Sequence, residues 1–93
     1  MDTYRHLRKA SGLSAKTLEA ASRGLPNSLF AVQITHAGET VAMGRVIGDG
    51  GTFYQVVDIA VLPAHQGRGL GKKVMTEIQA YIEREVPASA YVS

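Results

Sequence analysis

Ninety-three residues at 45% hydrophobic and 19% charged allow one small globular domain, 1–93, with a modest core. A formal charge of +2 is too small to argue for nucleic acid by itself, and without cysteine no disulfide can staple the fold. No apolar run is long enough to span a bilayer and no signal-peptide pattern opens the chain, so a cytoplasmic protein with no membrane contact is expected.

Asp2 or Thr3 is placed to cap a first helix running to about Ser11, where Gly12 stops it. Arg5, Arg8 and Lys9 read as its solvated face. Ser14 reads as the cap of a second short helix, with Leu13 and Leu18 spaced as a hydrophobic staple and Gly24 with Pro26 closing the segment. β-type residues then run from Leu29 to Thr35 and from Thr40 to Ile47, around a His36-Ala37-Gly38-Glu39 turn whose glycine suits a hairpin. After Gly48-Asp49-Gly50-Gly51, the β-branched and aromatic run from Phe53 to Leu62 ends at Pro63 and completes a three-strand antiparallel meander. Leu70, Val74, Ile78, Tyr81 and Ile82 recur three or four apart opposite a polar face, which predicts an amphipathic helix ending near Glu85. Pro87 forbids its continuation, and Ala88 to Ser93 reads as the start of a further strand. A strand, helix, strand sequence implies a right-handed crossover to a parallel neighbour, so the class is mixed α+β.

Between the third strand and the long helix lies Gln66-Gly67-Arg68-Gly69-Leu70-Gly71, followed by Lys72 and Lys73. A helix start carries unpaired N–H groups and the positive end of the macrodipole, so cations there are mildly unfavourable. Arg68, Lys72 and Lys73 crowd it nonetheless, which makes sense if an anion such as pyrophosphate sits on amides that the glycines leave open. A Walker A loop fails twice, because Gln66 stands where its first glycine belongs and Lys73 where Ser or Thr belongs. A dinucleotide fingerprint fails too, with Lys72 at its third glycine.

The Gln-x-x-Gly-x-Gly pattern of Gln66, Gly69 and Gly71, within the run from Val57 to Lys72, resembles the acetyl-CoA-binding segment of the GNAT family of N-acetyltransferases. The element order is similar to that family over nearly the whole chain. It departs at both ends: the family's first strand is not visible, and the helix and last two strands that follow the fifth strand are missing. The resemblance implies an acyl-CoA N-acyltransferase-like fold, incomplete at its C-terminus, with an acetyl-CoA-binding core at about 53–86. It further implies an enzyme that transfers an acetyl group from acetyl-CoA to a primary amine by direct attack on the thioester. On that resemblance the pyrophosphate lies on Gln66, Gly67, Arg68, Gly69, Leu70, Gly71 and Lys72, the pantetheine pairs with Ile59, Ala60 and Val61, and the Ile59 N–H holds the thioester carbonyl. Gln55 stands where some members carry a catalytic Glu, and Gln cannot act as a base. Asp58 is the remaining candidate base, if an apolar setting raises its pKa, and is otherwise a structural hydrogen-bond partner or substrate anchor. Tyr54 and Tyr91 read as packed strand aromatics, which leaves no general acid. His6, His36 and His65 lack ligand spacing, so no metal is expected, although His65 is near enough in sequence to touch cofactor phosphate.

Two rival readings remain: a non-catalytic CoA-binding or regulatory module, and a small basic domain binding nucleic acid or another protein. An unfinished sheet also exposes an edge and an apolar face, so homo-oligomerisation is expected.

Overall fold

A computed structural model describes residues 2–93. Helix α1 (Asp2–Ala10), helix α2 (Leu18–Gly24) and a 3-10 turn (Leu25–Asn27) lead into strands β1 (Phe30–His36), β2 (Glu39–Gly48) and β3 (Phe53–Val61). A second 3-10 turn (Pro63–His65), helix α3 (Leu70–Glu85) and a short β4 (Tyr91–Val92) follow. The sheet runs β1-β2-β3-β4, antiparallel up to β3 and parallel between β3 and β4. The meander and the parallel neighbour are therefore as expected. Ala37 and Gly38 both take positive φ, 51° and 82°, which gives the β1–β2 hairpin the twist its strands need.

Alternation along the strands divides the core between the two faces of the sheet. On one face Leu7 of α1 packs with Val41, Met43, Ala60 and Leu62. On the other, Val74 and Ile78 of α3 pack with Ala42, Val46 and Tyr54. Tyr81 extends the α3 stripe and stacks on Phe30, with ring centroids 4.5 Å apart. The helical periodicity thus becomes one layer of a helix, sheet, helix sandwich.

The start of the chain differs from expectation. The cap of α2 is Thr17, whose side chain accepts from the Ala20 N–H at 3.1 Å, and not Ser14. Ser14 is held elsewhere, since its Oγ and carbonyl both accept from Arg8, at 2.9 and 2.8 Å. The staple does not form: Leu18 is 52% exposed, while Leu13 packs on the Leu7 cluster. Arg8 is not on a solvated face but is only 8% exposed. Tyr54 is buried as expected, whereas Tyr91 is 63% exposed. Asp2 and Thr3, expected as caps, both lie within the first turn of α1.

Candidate functional site: a bulged strand edge beside a glycine-rich helix start

Register explains why the middle of β3 is unusual. Met43 pairs with Ala60 and Arg45 with Val57, so Gly44 alone faces both Asp58 and Ile59. That is a β-bulge on β3. Asp58 takes φ 59°, a left-handed conformation that costs a non-glycine residue about 1–2 kcal/mol, and Asp is among the residues that tolerate it best.

The extra residue reverses which backbone groups point to which side. Before the bulge, the even positions face β4: Val56 N–H donates to the Ser93 carbonyl at 2.9 Å and Ser93 N–H to the Tyr54 carbonyl at 3.0 Å. After it, the even positions face β2, as the Leu62 N–H donating to the Val41 carbonyl at 2.9 Å shows. The backbone groups of Ile59 and Val61 therefore turn to the side of β3 away from β2, and those of Ala60 turn inward. Pairing with β4 runs from Phe53 to Val56, and among the described residues no strand pairs with Ile59 or Val61 on that side. The Val61 carbonyl accepts from Gln66 Nε2 at 3.1 Å, tying the strand end to the following loop.

In that loop Gly67 and Gly69 take φ 80° and 77°, which is why side chains are disfavoured there; a Cβ at either would meet nothing. Gly71 differs, because an added Cβ would only touch Val61 Cγ2 at 3.8 Å, an ordinary contact. Gly69 caps α3 without a side-chain hydrogen bond, and the first intrahelical bond runs from the Lys73 N–H to the Gly69 carbonyl at 3.0 Å. The N–H groups of Leu70, Gly71 and Lys72 precede that bond and are available to an anion. The cations are less clustered than their spacing suggests: Lys73 lies along a groove with β1, and Lys72 lies on the outer face of α3 beside Met75 and Thr76.

On the α1 face of the bulge, Asp58 sits in a polar cluster and not in an apolar pocket. Its carboxylate accepts from the Tyr4 hydroxyl at 2.9 Å, from Arg45 Nε at 2.6 Å and from Arg8 Nη1. Its side chain is 5% exposed. Burial alone would raise its pKa, but the bonds from Arg45 and Tyr4, the Arg45 charge and the Arg8 bond outweigh that and hold it below the usual carboxylate range. The expected upward shift is thus reversed. Burial and the bond to Asp58 raise the Tyr4 hydroxyl. Arg45 also donates to Ser28 Oγ at 2.9 Å and lies over the Tyr4 ring. Sequence reasoning named Asp58 but missed Tyr4, Arg8 and Arg45 as its partners; for Arg45 the available signal was a charge at an interior strand position. Gln55 is exposed on β3, and the His36 and His65 rings meet at 5.4 Å, bringing the hairpin turn against the loop. No group of three or more His, Cys, Asp or Glu able to hold a metal occurs among the described residues.

Comparison with known proteins bears on this geometry. The acetyltransferase (GNAT) domain pattern matches residues 26–92. A protein of unknown function from meticillin-resistant Staphylococcus aureus, titled a probable acetyltransferase, is 49% identical with TM-score 0.93, over 99% of this chain and 69% of its own. A GNAT-family protein from Xanthomonas campestris pv. campestris is 28% identical with TM-score 0.75, over 98% of this chain and 64% of its own. A Brucella melitensis GNAT acetyltransferase in complex with acetyl-CoA shares the fold at 18% identity and TM-score 0.67, over 88% of this chain and 61% of its own. No curated protein sequence matches.

Proposed function

The chain belongs to the GNAT acetyltransferase family, and from that premise we propose that residues 53–86 bind acetyl-CoA and serve transfer of its acetyl group to a primary amine. One observation carries this reading: the Asp58 bulge turns the backbone groups of Ile59 and Val61 away from β2, beside an uncapped, glycine-rich helix start. An extended pantetheine adds to that side of β3 as a strand would, through Ile59 and Val61, with Ala60 between them. Pyrophosphate rests on the amides from Arg68 to Lys72, with Gln66 and Gly67 shaping the approach.

When the amine attacks, its C–N bond forms as negative charge gathers on the thioester oxygen. The Ile59 N–H, directed away from β2, meets that oxygen, and one such donor is worth about 3–4 kcal/mol. The C–S bond then breaks, the amine nitrogen sheds its remaining extra proton, and the thiolate takes up one proton to leave as the thiol. Before attack an ammonium must lose a proton. Asp58, its carboxylate held by three donors, is a poor acceptor, so the proton leaves through water and Asp58 serves as the anchor of the bulge. A second reading, cofactor binding without catalysis, gains from Gln55 and from this engagement of Asp58.

Calorimetric titration of acetyl-CoA tests the reading, with Gly71→Glu as control. That position adopts ordinary helical backbone and has room for a Cβ, so the variant folds while placing a carboxylate against the pyrophosphate. Saturable binding that weakens roughly tenfold or more in Gly71→Glu supports the site. A folded wild-type chain that never binds would sink it. Thiol release on a panel of amines then separates the two readings, because a binding module shows none.

A further inference from the structure

A left-handed, non-glycine residue inside a strand needs something to hold it, and the surroundings of Asp58 supply a candidate. Tyr4 and Arg8 come from α1 and Arg45 from β2, and all three donate to the one carboxylate. None of these ties is local, since the partners lie 54, 50 and 13 residues away. Two of them are braced in turn, Arg8 by Ser14 and Arg45 by Ser28. The side chain is thus fixed to two elements on one face, while the peptide that follows it turns its N–H away from β2.

Resting on the acetyl-CoA reading above, we infer that Tyr4, Arg8 and Arg45 are positioning residues. Their grip on Asp58 sets the Asp58–Ile59 peptide so that the Ile59 N–H meets the thioester oxygen. In this role they act on the cofactor through Asp58, although Tyr4 and Arg45 also line a cavity beside it. Their effect is on the angle of one amide, and it appears in how strongly the carbonyl is polarised, separately from how tightly the pyrophosphate is held.

Two NMR measurements on the full chain test this, using Arg45→Gln and the milder Tyr4→Phe. Without ligand, the Asp58 amide–Hα cross-peak and Cα shift report its left-handed backbone; Arg45→Gln is expected to lose that signature. With acetyl-CoA labelled at the thioester carbonyl, the bound wild-type 13C resonance is expected to move away from its free position. In the variants it falls back toward the free value while affinity stays within about twofold. Should Arg45→Gln fail to fold, Tyr4→Phe removes one hydroxyl, keeps both arginines and is expected to give a partial return. A left-handed Asp58 that persists in folded Arg45→Gln, or a bound carbonyl resonance that no folded variant moves, overturns the inference while the acetyl-CoA reading stands. A folded wild-type chain that binds no acetyl-CoA removes both.

Discussion

Replacing Gly44 with alanine tests whether the bulge is packed as described. Gly44 faces Ile59, and a Cβ there would lie 2.6 Å from Ile59 Cδ1, 2.6 Å from Val74 Cγ1 and 3.1 Å from Ile78 Cδ1. Val74 and Ile78 are completely buried, so neither can swing out to solvent. Two effects oppose each other. Alanine in a strand is favoured over glycine by about 0.5–1 kcal/mol, whereas forcing an extra carbon into a filled core costs about 1–3 kcal/mol. With two contacts far inside van der Waals distance, the steric term wins. For a domain of this size each kcal/mol lowers Tm by about 4–8 °C, so a net loss of about 1–2 kcal/mol lowers it by roughly 4–16 °C in calorimetry. Ile59→Val removes the Cδ1 that collides and by itself costs about 0.5–1.5 kcal/mol. The double variant is expected to recover part of the loss, with a coupling of about 0.5–3 kcal/mol. A Gly44→Ala chain that melts at or above the wild-type temperature, or penalties that simply add, would refute this packing.

The acid limb of stability depends on Asp58. Its folded pKa is depressed, so its contribution is fully present above the ordinary value of about 3.9 and is lost as pH falls through the folded value. Asp58→Asn is expected to flatten that limb in denaturant titrations below about pH 4, while Asp49, held low by the Thr52 hydroxyl and nearby N–H groups, keeps it from vanishing. Thr17→Ala removes the α2 cap and is expected to cost about 1 kcal/mol, whereas Ser14→Ala acts through Arg8 and leaves α2 helicity by circular dichroism unchanged. Gly69→Ala places a side chain at φ 77° and is expected to cost about 1–2 kcal/mol; equal stability to wild type would show that the loop relaxes. Phe53 and Tyr91, both 63% exposed and packed against each other at the β3–β4 edge, are expected to drive concentration-dependent association in ultracentrifugation. Phe53→Lys should leave a monomer, and an unchanged sedimentation profile would place the contact elsewhere.

Periodicity alone determined most of the elements. The three-to-four spacing from Leu70 to Ile82 and the β-branched runs ending at Gly48 and Pro63 mark local structure that each segment can satisfy by burying one face. The glycine pattern from Gln66 to Gly71 likewise marked the strand-to-helix turn, because left-handed backbone at Gly67 and Gly69 is written in residue type. Caps were less legible: Ser14 and Thr17 are equally good caps by chemistry, and the choice fell to Thr17 once Arg8, buried by packing of α1 on the sheet, took Ser14 as its partner. Only the tertiary structure decided the bulge and what surrounds it. The run from Phe53 to Leu62 reads as an uninterrupted strand, and nothing local says that Gly44 will oppose two residues instead of one. Nor can spacing show that Tyr4, Arg8 and Arg45 converge on Asp58 from such separations, turning an expected rise in its pKa into a fall. Hydrophobic period and turn residues act within a few positions of themselves, whereas register and ion pairing depend on which strands meet and in what phase, and that phase exists only when the chain is folded.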